Sequence, residues 1–335
     1  MKAAVLSGPR QLEVVDWPMP VCESEEVLIQ ISGVGICGSD GALYAGHWGF
    51  ARPFVIGHEG FGRIVGVGSA VKDRELGSLV VVEPNIVCGE CALCRRGRSS
   101  LCVQKRSIGV GSDGLCAEFA KVPAQFAWPL PDWIRPEDAV CIEPLAVALA
   151  AIREARAQPG AHVTVFGAGA QGLLLTVALA AQGAAPHVVD PQPERLAIAR
   201  GLGAASTSLE APEGPDSDVV FETSGAPTAV SAAIAVAGPG ATVVLVGLGH
   251  QSATLDAAWV VRQRLRIVGS LIYQHPIDFI STIDLVTSGA LRPGVVLRHA
   301  FRLEEADRAL RKAPTLPGKS WITVNSALEG VWRPR

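Results

Sequence analysis

HVTVFGAGAQG, residues 162–172, reads as a buried strand running into a glycine turn and then a helix. The run His162 to Phe166 is strand-like, and Gly172 to Gln182 continues as an apolar helix. A lone G-x-G-x-x-G string marks no more than a turn. Set between strand and helix, Gly167, Gly169 and Gly172 permit a tight turn and close backbone approach to a pyrophosphate, with Gln171 in the same turn. The helix N-terminus adds N–H donors and the positive end of its dipole. Asp190 closes the next strand, eighteen residues beyond Gly172. A carboxylate there accepts hydrogen bonds from the adenine-ribose hydroxyls and repels a 2′-phosphate, which favours NAD over NADP. The same residue type also suits a helix cap. Arg195 is near enough in sequence to stack on adenine or meet a phosphate.

Downstream of that motif, strand candidates recur at His187–Val189, Asp218–Glu222, Thr242–Val246 and Arg266–Ser270. Helical stretches, Glu194–Leu202 and Pro227–Ala237, lie between them. This alternation predicts an α/β fold, a doubly wound Rossmann domain with a parallel sheet over residues 148–270. Upstream, Lys2–Leu6, Glu26–Val34, Arg63–Val67 and Leu79–Val82 are β-rich runs punctuated by glycine and proline. They predict a compact barrel-like β domain over residues 1–147. Residues 271–335 mix a helix, Ile277–Ser288, with a late strand, Ser320–Val324.

A chain of 335 residues suits two domains. With 49% hydrophobic and 18% charged residues the composition is globular rather than disordered. The net charge of -3 gives no electrostatic footprint for nucleic acid or an anionic membrane. Met1–Trp17 lacks the pattern of an export signal, and the apolar stretch Gly172–Ala181 is too short to span a bilayer, so a cytoplasmic protein is expected.

Cys88, Cys91, Cys94 and Cys102 follow the spacing C-x2-C-x2-C-x7-C within a lobe of about residues 84–105. Four thiolates so close can complete a tetrahedron around zinc and leave no open position, as a structural site requires. Iron–sulfur clusters use other spacings. Cys22, Cys116 and Cys141 read as small hydrophobes.

A second metal site is assembled from separate loops. Cys37 stands in Gly35-Ile36-Cys37-Gly38-Ser39-Asp40, His58 and Glu59 follow in Gly57-His58-Glu59-Gly60, and Glu143 begins Glu143-Pro144-Leu145. A thiolate, an imidazole and a carboxylate form a mixed ligand set with room for water or substrate. Zinc in such a set polarises an alcohol oxygen and lowers its pKa. Each piece alone is a common surface or core detail; their joint occurrence is not.

These motifs resemble the zinc-containing medium-chain dehydrogenase/reductase superfamily over essentially the whole chain. The resemblance implies a GroES-like β domain made from both ends of the chain around the Rossmann domain, with the active site in the cleft between them. It implies two zinc ions per chain and NAD. Cys37, His58 and a carboxylate, Glu59 or Glu143, would ligate the catalytic zinc, and the four-cysteine lobe the structural one. Ser39 would begin a proton relay, and Asp40 would steady a ligand. The family often places a histidine five residues after the cysteine, where this chain has Ala42; either His47 in the nearby loop substitutes, or protons leave through the nucleotide ribose and water.

Glu143-Pro144-Leu145 resembles the polyol branch of sorbitol, glucose and cyclitol dehydrogenases, and the region from Tyr44 to Phe54 resembles deoxy-inosamine dehydrogenases. The expected reaction is NAD-linked oxidation of a secondary alcohol on a polyol, sugar, cyclitol or aminocyclitol. A threonine-type amino-alcohol dehydrogenase is the nearest alternative, and Ala42 counts against it. A non-catalytic nucleotide-binding protein or a quinone reductase would leave Cys37, His58 and Glu59 unexplained. Relatives are dimers or tetramers, and Thr242–Val246 is suggested as an unpaired sheet edge for such an assembly.

Overall fold

The computed structural model describes residues 1–324, so the last part of the expected 271–335 segment lies outside the described residues. The chain divides into two compact units. One is Met1–Glu143 joined by the chain from Leu297, and the other is Pro144–Val296.

The first unit is built on strand Glu26–Gly35, whose alternate residues Val27, Ile29 and Ile31 point into the core. It pairs antiparallel with Glu59–Val67, with Phe119–Pro123 and, at its last residues, with Lys319–Thr323. Leu79–Val82, Ala127–Pro129 and Leu297–Arg302 complete a seven-stranded sheet. A three-stranded sheet, ordered Gln11–Asp16, Lys2–Gly8 and Phe54–Val55, shares its core. The late strand is therefore a structural member of the N-terminal β unit, entered at Gly33–Gly35.

The second unit holds a six-stranded, wholly parallel sheet. Its order is Ser206–Ser208, His187–Val189, Val163–Phe166, Ser217–Glu222, Ala237–Leu245 and Arg266–Gly269, the doubly wound 3-2-1-4-5-6 arrangement. Strand Ser206–Ser208 has no sequence signal because an edge strand of serine and threonine carries no apolar run. Thr242–Val246 is not an edge: it lies in a strand flanked by Ser217–Glu222 and Arg266–Gly269, and the edges are Ser206–Ser208 and Arg266–Gly269. The unit continues past Ser270 to Val296 because the Pro293–Val296 turn packs on helix Ala170–Ala181. Among the described residues no helix is long and apolar enough to cross a membrane.

Candidate active site

The first strand of the parallel sheet, Val163–Phe166, delivers the glycine turn to the start of helix Ala170–Ala181. Gly172 must be glycine, since a Cβ there would collide with the Gly167 carbonyl. No side chain caps the helix, so its first-turn N–H groups face outward at the turn. Asp190 is buried beside it; one oxygen accepts from Ala168 N at 2.8 Å and the other from Gln192 N at 2.9 Å. Each oxygen keeps lone-pair capacity for a further donor. Gln171 turns its amide onto the Pro144 carbonyl at 3.2 Å, and Arg195 is half-buried on helix Pro193–Gly201.

Two residues of Phe221-Glu222-Thr223-Ser224-Gly225, a strand-end stretch that resembles family segments at the cofactor, brace this region. The Thr223 hydroxyl donates to the carbonyls of Phe166, 2.9 Å, and Gly167, 3.2 Å. Glu222 is fully buried and accepts from Ser224 N at 2.8 Å and Gly225 N at 3.0 Å, fixing the loop after its strand.

In the β unit, strand Glu26–Gly35 ends just before Cys37, which is the N-cap of helix Gly38–Ala45. Asp40 reaches back to the Cys37 N–H with one carboxylate oxygen at 2.9 Å, a capping-box contact that fixes the first turn. Its other oxygen faces His58 Nδ1 at 3.3 Å. The other ring nitrogen, Nε2, is 3.3 Å from Ser39 Oγ. Glu59 opens strand Glu59–Val67, directly opposite Gly35. Ligand atoms of Cys37, His58 and Glu59 all lie within 4.8 Å of one another.

This donor set fits a metal. A carboxylate on Nδ1 holds that nitrogen as the N–H and directs the Nε2 lone pair into the group, the usual arrangement behind a ligating histidine. Burial would lower the His58 pKa, but the Asp40 charge and hydrogen bond, with a smaller contribution from Cys37, raise it well above the ordinary value. The anions that favour positive charge on this imidazole are the same ones a bound cation would satisfy.

Behind Glu59 lies an unexpected cation. Lys319, from the first residue of the late strand, is fully buried, forms an ion pair with Glu59 Oε2 and donates to the Ile36 carbonyl at 3.0 Å. Burial opposes its charge, yet the Glu59 carboxylate outweighs it and raises the Lys319 pKa above its ordinary value. Glu143 is buried in the first turn of helix Ile142–Ala155 and is not among the three grouped ligands. His47 is exposed beyond the left-handed Gly46 that ends helix Gly38–Ala45, also outside that group.

Cys88, Cys91, Cys94 and Cys102 form the other metal-competent group, again within 4.8 Å. Backbone N–H groups of Cys88, Cys91 and Cys94 point at neighbouring sulfurs at 3.3 to 3.5 Å. Such donors favour thiolate; that of Cys94 leads in bringing Cys91 down to about 6.

The chain matches the alcohol dehydrogenase GroES-like domain over residues 23–132 and the zinc-binding dehydrogenase domain over residues 170–288. It is 31% identical to sorbitol dehydrogenase of Bacillus subtilis over 93% of either chain. It belongs to the zinc-binding alcohol dehydrogenase family. Galactitol-1-phosphate dehydrogenase of Escherichia coli superposes with a TM-score of 0.89 at 30% identity, covering 97% of this chain and 100% of that one. A short chain alcohol dehydrogenase of E. coli, solved with NADH, also gives 0.89, at 28% identity over 97% and 99%. The β unit is thus the GroES-like domain and the parallel sheet the Rossmann domain of a zinc-family alcohol dehydrogenase.

Asp40 meets the grouped ligands at His58 Nδ1 and at the Cys37 N–H. Asp40→Asn preserves the helix cap but removes the charge behind the imidazole. It should weaken zinc retention about 10- to 100-fold. Competition with a chromogenic chelator measures this, and unchanged affinity would remove Asp40 from the metal site.

Proposed function

We propose that this dehydrogenase oxidises a secondary alcohol of a polyol, sugar, cyclitol or aminocyclitol with NAD⁺, using a catalytic zinc held by Cys37, His58 and Glu59. The four-cysteine lobe holds the structural zinc. The observation that carries this reading is the Cys37–His58–Glu59 group, with Asp40 behind the imidazole and Ser39 beside it. Likeness to sorbitol and galactitol-1-phosphate dehydrogenases supports the polyol class. Glu143 stands as the alternative carboxylate.

Zinc at this site supplies electrophilic polarisation of the alcohol oxygen, and the nicotinamide ring supplies the hydride acceptor. Ser39 Oγ, both donor and acceptor, takes the hydroxyl proton of the substrate. Asp40 keeps His58 in one tautomer throughout. From Ser39 the proton would leave through water or the exposed His47, or through the ribose hydroxyls a bound cofactor would supply, because Ala42 offers no titratable group. Gly167, Gly169 and Gly172 admit the pyrophosphate to the helix N-terminus, with Gln171 and Arg195 flanking, and Asp190 accepts from the adenine ribose.

The last role sets cofactor choice. Asp190→Ser should raise the KM for NAD⁺ by about tenfold or more, as loss of hydrogen bonds to an anion implies, and narrow the preference over NADP⁺. Initial rates with both cofactors check it; an unchanged ratio would remove Asp190 from recognition.

Eight free cysteines suit a reducing cytoplasm. The edge strand Arg266–Gly269, with exposed Leu271 beside it, suits pairing in a homodimer or homotetramer, which light scattering would detect. Turnover of sorbitol, inositol and an aminocyclitol against L-threonine tests the substrate class; activity on threonine alone would overturn it.

A further inference from the structure

Glu59 and Lys319 lie far apart in sequence, yet they form a fully buried ion pair at the metal-competent group. The fold makes room for it. A Cβ at Gly35 would collide with Glu59 Oε2 and press on the Lys319 side chain, so glycine is required where the two strands meet. Lys319 is also tied to the Ile36 carbonyl, next to Cys37, so its ammonium is fixed relative to two of the three grouped ligands. Burying an unpaired lysine is costly, and placing one beside a cation site costs more by mutual repulsion. It requires a specific electrostatic return.

Charge balance supplies one. When a divalent ion is held, Cys37 is a thiolate and His58 is neutral. Cys37, Asp40 and Glu59 then carry three negative charges, the two carboxylates buried, and the ion supplies two positive ones. Lys319 supplies the third. With its ammonium on Oε2, the other Glu59 oxygen is the one that meets an ion without competing with a positive charge.

We propose that Lys319 is a positioning residue of the catalytic metal centre, withholding one oxygen of Glu59 so that this carboxylate ligates through a single oxygen and the centre stays charge-balanced. This rests on the zinc reading given above. Removing the ammonium frees the second oxygen and leaves the centre with excess negative charge. The coordination number then rises, and the ion is held more tightly but in a less electrophilic state.

The test exchanges Co²⁺ into the Cys37 site, leaving zinc in the four-cysteine lobe, and compares wild type with Lys319→Met and Lys319→Arg. In Lys319→Met the visible cobalt absorption should fall about twofold as the tetrahedral geometry is lost. Metal loss to EDTA should slow by about tenfold or more, given the removal of a repelling charge. Lys319→Arg, which keeps the charge, should restore both. If Lys319→Met does not accumulate as folded protein, Lys319→Gln removes the charge while leaving a polar donor on the side that faces the Ile36 carbonyl, and is read in the same way. A neutral variant matching wild type in both spectrum and EDTA rate would overturn the role of Lys319 while leaving the metal site intact. Wild-type protein that takes up no cobalt outside the cysteine lobe would instead overturn the metal reading, and this role with it.

Discussion

Cys37→Ser is expected to lower kcat/KM for alcohol oxidation by about three to four orders of magnitude, the equivalent of several kcal/mol of lost charge stabilisation. The fold should survive. Cys37 is the N-cap of helix Gly38–Ala45, serine is a favoured N-cap, and the Asp40 contact uses the Cys37 backbone N–H, which the substitution leaves in place. Only the thiolate is lost from the group it forms with His58 and Glu59. Metal analysis should show zinc falling from two ions per chain to one, with melting temperature nearly unchanged. Activity retained within about tenfold would mean that the reaction does not depend on a metal ligated by Cys37.

Cys94→Ser should have the opposite profile. Between Cys88 and Cys102 the only regular elements are a four-residue helix, Ala92–Arg95, and a short 3-10 turn, Ser99–Leu101, and of their residues Ser99 alone is buried. So little apolar burial cannot order the loop; ligation can, since structural zinc contributes about 10–16 kcal/mol in small metal-folded units. Losing one of four ligands should lower the melting temperature by about 10 °C or more. Trypsin should then cleave after Arg95, Arg96 or Arg98, all exposed. The folded fraction should keep its kcat/KM, because Cys37, His58 and Glu59 form a separate group. Equal melting temperatures and protease resistance would show that the lobe needs no metal.

The legible parts of this molecule are those written locally. The turn at residues 162–172 reads from adjacent residues, and the four-cysteine group from fifteen consecutive ones, Cys88 to Cys102. Asp40 is legible as a support because it lies within one helical turn of Cys37. Lys319 is not: its meaning depends on antiparallel pairing of Lys319–Thr323 with the end of Glu26–Gly35, a contact set by the sheet and invisible to spacing. Ser206–Ser208 escapes for another reason, since a polar edge strand lacks hydrophobic periodicity. Without that periodicity the sheet order could not be assigned, and an interior strand, Thr242–Val246, looked like an edge.

Zinc-dependent, NAD-linked polyol oxidation is tested most directly by NADH formation from purified protein with ring and linear polyols, before and after EDTA treatment and after zinc is restored. NADH formation that EDTA abolishes and zinc restores is the predicted result. Turnover that persists in protein shown to have lost the ion at Cys37, His58 and Glu59 would contradict it.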